Sequence, residues 1–235
     1  MAFDAKQTQR ARAVVVIVAL AAVVGLAAVV LSGALTPKAP APSPSSAASQ
    51  KGGAQGAASP EQEHSMKDVD MQYGTMVKQL KSQHDANPQD PSSLLNLANG
   101  YFDWGMAAMG HAKTDDDRAH TAELFQDAVG AYDAYLDAAP GSKTAFVDRS
   151  ICIFYGGDHA RAISELEGFV KKDDTFGPAW ANLGMFYEAE SRVDDARRAY
   201  EKAVETDPDD AFQVKTFAEQ HLSQLASSSG AGASK

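Results

Sequence analysis

The chain has 235 residues with a net charge of −10, of which 21 are Lys or Arg and 31 Asp or Glu. Residues 1–60 hold five basic side chains against Asp4 alone, so the acidity belongs to 61–235, whose net charge is −14. An acidic domain repels phosphate backbones, which argues against a nucleic-acid partner, and a single cysteine, Cys152, excludes an internal disulfide.

Residues 1–12 carry Lys6, Arg10 and Arg12 and lead into the apolar run Ala13 to Leu31, AVVVIVALAAVVGLAAVVL. In lipid the backbone must pair within its own segment, so such a run spans as a helix of about 20 residues. We expect a single transmembrane helix over 13–31. The basic flank would keep 1–12 in the cytoplasm and place the rest outside, on a single-pass protein of the cell membrane. The alternative is a cleaved signal peptide with Ser32-Gly33-Ala34 as its cleavage site, although the apolar part of such a peptide runs only about 7–15 residues. Residues 32–61 are nearly all Pro, Ala, Ser and Gly. They have too little to bury to offset the entropy of ordering, and read as a tether.

From 62 onward, apolar and small residues recur at i, i+3, i+4, i+7, the spacing of a buried helical stripe. Met76 and Leu80, closed by Pro88, read as the second helix of a half repeat over 62–90. Over 91–142, Leu94, Leu97, Ala98 and Tyr101 give one helix, and Ala128, Tyr132, Tyr135 and Pro140 the next. Over 143–176 the pattern runs through Phe146, Ile153, Ala162, Leu166 and Phe169. Over 177–210 it is Trp180, Leu183, Gly184 and Tyr187, then Ala196, Tyr200, Ala203 and Pro208. These last two copies superpose when Phe146 is laid on Trp180, although Arg149 and Ser150 stand where Leu183 and Gly184 recur. Val214, Phe217, Ala218, Leu222 and Leu225 continue the spacing over 211–226 and suggest a terminal cap, followed by a disordered tail at 227–235.

Helix–turn–helix units of about 34 residues with Trp180, Leu183, Gly184, Tyr187, Ala196, Tyr200 and Pro208 at these spacings resemble the tetratricopeptide repeat family. The resemblance implies an all-α fold: an α-solenoid of about three and a half repeats plus a capping helix, behind the N-terminal transmembrane helix, each pair packing on its neighbours. The 91–142 repeat departs from the pattern. Leu97 and Ala128 are 31 positions apart, against 13 for Leu183 and Ala196, which predicts a longer hairpin turning near Ala112 to Asp116. LANGYFDWG followed by DRSICIFYGGDHARAI also looks like bacterial membrane-anchored proteins of this family, including those resembling cytochrome c maturation factors.

Catalytic patterns are absent. His111, Asp115, Asp116, Asp117 and His120 lack the spacing of a calcium loop and its glycine, and the aspartates fit better at a helix N-terminus. Cys152 reads as a small buried hydrophobe and His159 as a turn residue. GGAQG at 52–56 has no strand before it and no helical pattern after it, so it is not a phosphate loop. The expectation is a protein without enzymatic activity, cofactor or metal.

For partner binding, the resemblance implies a concave groove lined by first helices. It places there Asn96, Asn99 and Asp103, then Val147, Asp148, Ile151 and Tyr155, then Asn182, Met185 and Glu188. Some family members clamp a partner's C-terminal carboxylate with Asn and Lys or Arg. Here Asn99 fits, but Leu95, Asp148, Asn182 and Met185 supply no cation. The expected partner is a neutral or basic protein segment. Its host is a membrane-anchored extracytoplasmic scaffold, an assembly chaperone holding an unfolded client, or a structural subunit of an envelope or secretion complex.

Overall fold

A computed structural model describes residues 65–232, and within them the chain forms eight helices and no strand. They are α1 (Met66–Ala86), α2 (Pro91–Met109), α3 (Asp115–Ala138), α4 (Lys143–Tyr155), α5 (His159–Lys172), α6 (Gly177–Ala189), α7 (Val193–Thr206) and α8 (Val214–Gly232). The expected flank, spanning helix and linker over 1–61 lie outside the described residues. Among the described residues no helix is long and apolar enough to cross a membrane.

The helix starts follow from local chemistry. Ser65 and Asp68 form a capping box before α1, and Thr114 and Asp117 form another before α3. Asp90 caps α2 ahead of Pro91, whose missing N–H is harmless in the first turn. Asp117 is therefore one half of a cap, and its carboxyl is held below the usual range by hydrogen bonds from the backbone of Thr114 and Lys113. The turn between α2 and α3 spans 110–114, slightly earlier than expected, because the box starts α3 at Asp115.

The repeat shows in the backbone. Gly157, with φ of 100°, and Ser191, with φ of 60°, stand at matching places in successive repeats and end α4 and α6 in the same way. In each, two N–H groups fold back on the last turn: Gly157 to Phe154 and Asp158 to Ile153, then Ser191 to Glu188 and Arg192 to Tyr187.

Successive helices pack in chain order, and the first helix α6 also touches α4 before it and α8 after it. A single core runs from Ala98 and Phe102 in α2 to Leu225 in α8. A smaller cluster of Val69, Ala108 and Leu124, backed by Met66, Tyr73 and Trp104, fastens α1 to the long hairpin. Trp104 Nε1 and His120 Nε2 both meet Asp70 Oδ1, at 2.9 and 3.0 Å, which joins α1, α2 and α3 through one carboxylate.

The lengthened hairpin repeats the close contact of its neighbours. A β-carbon on Gly105 would stand 2.9 Å from the Phe125 ring. Gly105 follows Ala98 by two helical turns, and Phe125 precedes Tyr132 by two on the antiparallel partner. The insertion thus extends the small-against-aromatic seam.

The two irregular positions of the 143–176 repeat are also explained. Arg149, in place of an apolar residue, reaches Asp133 on α3 and Glu165 on α5, and Glu165 in turn takes Arg161. Ser150, in place of glycine, is fully buried and donates to the Phe146 carbonyl at 2.9 Å. Leu166, shorter than an aromatic, stands where Tyr200 recurs.

At the C-terminus, the buried Asp207 accepts from the backbone N–H groups of Ala211, Phe212 and Val214 at 2.8, 3.1 and 3.2 Å. That turn aims α8 back along α7 and α6. The helix continues to Gly232, so residues 227–232 are helical where a disordered tail was expected.

Candidate functional site

The ten positions expected in the groove divide by burial. Val147 and Ile151 on α4 and Asn182 and Met185 on α6 are at most 5% exposed. Neighbouring first helices close over them, and the Asn182 amide donates to the Pro178 carbonyl at 2.8 Å. This corrects the expectation for these four: they support the face without offering a contact. Asn182 in particular cannot serve as a backbone-reading amide.

The remaining six stay accessible. Asn96 is exposed, and Asn99, Asp103, Asp148, Tyr155 and Glu188 are partly so. Asn99 Oδ1 accepts from the Tyr132 hydroxyl at 2.8 Å, which fixes its amide on α2. Three of the six are carboxylates, and none is a cation.

Glu188 is the most elaborated of them. Its side chain is 20% exposed, and its Oε2 accepts from the Tyr200 hydroxyl at 2.8 Å and from His221 Nδ1 at 2.7 Å. Burial pushes the Glu188 carboxyl up, but these hydrogen bonds outweigh it and hold the group below its ordinary value of 4.5. Burial pushes the Tyr155 and Tyr200 phenols well up, so both stay neutral donors. The His221 side chain, 3% exposed, lies against the rings of Tyr200 and Phe217, and its Nε2 has no hydrogen-bond partner. A single carboxylate thus gathers α6, α7 and α8.

Sequence reasoning names Glu188 but misses Tyr200 and His221 as its partners. The repeat pattern marks Tyr200 only as core and gives His221 no role in the cap. The available signal is that His221 falls one repeat period after Tyr187. Tyr187 also sends its polar end to a carboxylate, Glu167, at 2.7 Å.

Other chemistry-bearing residues are dispersed. His111 Nδ1 meets the Ala107 carbonyl at 2.8 Å, and His120 is on Asp70. His159 stacks on Phe154 and meets Glu190. Cys152 is fully buried. It floors a cavity of about 400 Å³ between α3, α4 and α5, with Val129 and Ile153 beside it and Asp133, Asp158 and Arg161 at the rim. Asp133 is already engaged by Arg149 and Arg161 by Glu165, so that rim is internally neutralised.

Residues 154–211 match the family model described as tetratricopeptide repeat. The chain is 30% identical over 131 residues to small glutamine-rich tetratricopeptide repeat-containing protein 2 of Mycosarcoma maydis, covering 56% of this chain and 37% of that protein. It is 23% identical over 140 residues to the probable UDP-N-acetylglucosamine–peptide N-acetylglucosaminyltransferase SPINDLY of Solanum lycopersicum, covering 52% and 15%. It therefore spans well under half the length of the curated relatives it matches. Among solved structures it is similar to MamA, with 18% identity, a TM-score of 0.45 and coverage of 72% of this chain and 96% of that one. A thermophilic tetratricopeptide repeat protein of Thermus thermophilus gives 18% identity, a TM-score of 0.43 and coverage of 65% and 91%. The family match and the repeat-containing relative support the tetratricopeptide repeat family for this chain, with the family model satisfied over residues 154–211.

Proposed function

We propose that this chain is a membrane-anchored, extracytoplasmic scaffold that holds a segment of another protein along its first-helix face and performs no chemistry of its own. One observation carries the binding reading. The accessible residues of that face, Asn96, Asn99, Asp103, Asp148, Tyr155 and Glu188, are hydrogen-bonding or anionic and sit over a rigid buried layer. Such a face suits a neutral or basic extended segment, whose backbone amides and cations would replace water on fixed acceptors. Anchoring rests on the apolar run 13–31 and its basic flank, and the outward location on the same charge asymmetry.

Photo-crosslinkers at Asn96 and Tyr155 in living cells test the face. Capture of a defined protein, lost when Asp103 and Asp148 are both changed to Lys in a chain of unchanged melting temperature, supports it. Undiminished capture by that double variant removes the face from the reading. Protease access in intact cells tests the location: digestion of 65–232 from outside is expected, and full protection overturns it.

A second reading has its own observation. The hairpin of α2 and α3 extends past the other repeats and ends at an exposed tip with Lys113 and Thr114 to Asp117. A structural subunit of an envelope complex would dock through that tip. Shortening the hairpin would then abolish the complex while leaving crosslinking at Tyr155 intact.

A further inference from the structure

We infer that Glu188 is a preformed socket for one cationic side chain, a lysine or arginine of the partner segment. The inference rests on the first-helix face being the binding face and names the group that anchors there.

The carboxylate is half committed. Oε2 takes both internal hydrogen bonds, from Tyr200 and His221, whereas Oε1 takes none from any described residue. The group remains 20% exposed, so Oε1 is the oxygen left to solvent. Its orientation is fixed by donors on two other helices, and a ligand meeting it has little side-chain entropy left to remove. No Lys or Arg among the described residues acts on it; His221 is the one charged-capable group that does. The internal hydrogen bonds keep the carboxylate charged without neutralising it, so its charge is available to an external ammonium or guanidinium. A fixed carboxylate with an open oxygen receives an ammonium or guanidinium, as it would not receive a phosphate or carboxylate.

The test uses the full chain in detergent micelles, labelled for amide-resolved NMR, and three blocked peptides, Ser-Gly-X-Gly-Ser with X as arginine, lysine or norleucine. Arginine and lysine peptides are expected to shift the amides around Glu188, with the norleucine peptide at least about tenfold weaker. Glu188→Gln keeps an oxygen for Tyr200 and His221 to donate to, so the fold is retained while the charge is lost. It should reduce the arginine and lysine shifts by about tenfold. Equal binding of norleucine, or cation binding undiminished in E188Q, overturns the socket. If the cationic peptides shift Asn96 and Asp148 equally in both chains, the socket fails and the face stands. If no peptide moves any residue of the first-helix layer, both fail.

Discussion

Gly184 lies against the ring of Tyr200: a β-carbon at Gly184 would stand 2.6 Å from Cε1 and 2.7 Å from Cδ1. The ring is fully buried and bonded at its hydroxyl to Glu188, so it has nowhere to retreat. Gly184→Ala gains about 1 kcal/mol of helix propensity but overpacks a rigid contact, which costs about 1–3 kcal/mol. A net loss in urea unfolding is expected. Gly168→Ala, at a helical position with nothing within 4 Å of the added carbon, should instead gain up to about 1 kcal/mol. Identical behaviour of the two variants would contradict the seam.

The paired turns at Gly157 and Ser191 make a second prediction. Both have positive φ, a conformation that costs an L-residue about 1–2 kcal/mol and glycine almost nothing. Ser191→Gly should raise the stability by about 1 kcal/mol, and Gly157→Ala should lower it by at least as much. Thermal melts of the two single variants check the opposite signs.

Asp207 supplies the third. Its buried carboxylate satisfies three backbone N–H groups that otherwise have no acceptor in that turn. Asp207→Ala orphans them and should cost about 2–4 kcal/mol, loosening α8 first. Hydrogen exchange would show the amides of Phe217 to Leu225 losing protection before those of α4. Uniform loss across all helices would mean that α8 does not open as a separate unit.

A fourth concerns pH. The Glu188 carboxyl is held below its ordinary value of 4.5 in the folded chain. The unfolded state therefore takes up that proton at higher pH than the folded state. Its contribution is fully present above 4.5 and is lost as the pH falls through the lower folded value. Glu188→Gln should flatten the stability curve on the acid side of 4.5 and leave the slope near neutral pH as set by the remaining groups. An unchanged acid limb would show that Tyr200 and His221 do not hold this carboxylate in solution.

Much of the architecture is legible along the chain because a repeat copies its contacts. Trp180, Gly184, Tyr200 and Pro208 specify one helix pair, and translating them by one repeat period recovers the next. Even the irregular copies obey the same sterics: Ser150 goes with the smaller Leu166, and Gly105 goes with Phe125. Arg149 was less legible, since its acidic partners, Asp133 and Glu165, lie far along the chain in opposite directions, on two other helices.

The accessible face was only half legible. Periodicity says which residues share a side of a helix, and by that rule Ile151, Met185, Asp148 and Glu188 were equivalent. Their exposure depends on how closely one first helix approaches the next, and that spacing is set by side chains on both. The approach buries Ile151 and Met185 and leaves Asp148 and Glu188 open.

The repeat period and its small and aromatic positions dictate the helix pairs, their order and the seam between them, since those contacts are short in sequence and recur. The meeting of Glu188 with Tyr200 in the same repeat and with His221 in the cap occurs once and has no counterpart among the other described repeats. It depends on the angle at which the Asp207 turn returns α8 to the stack, and with that angle the chain acquires a fixed carboxylate with one oxygen facing outward.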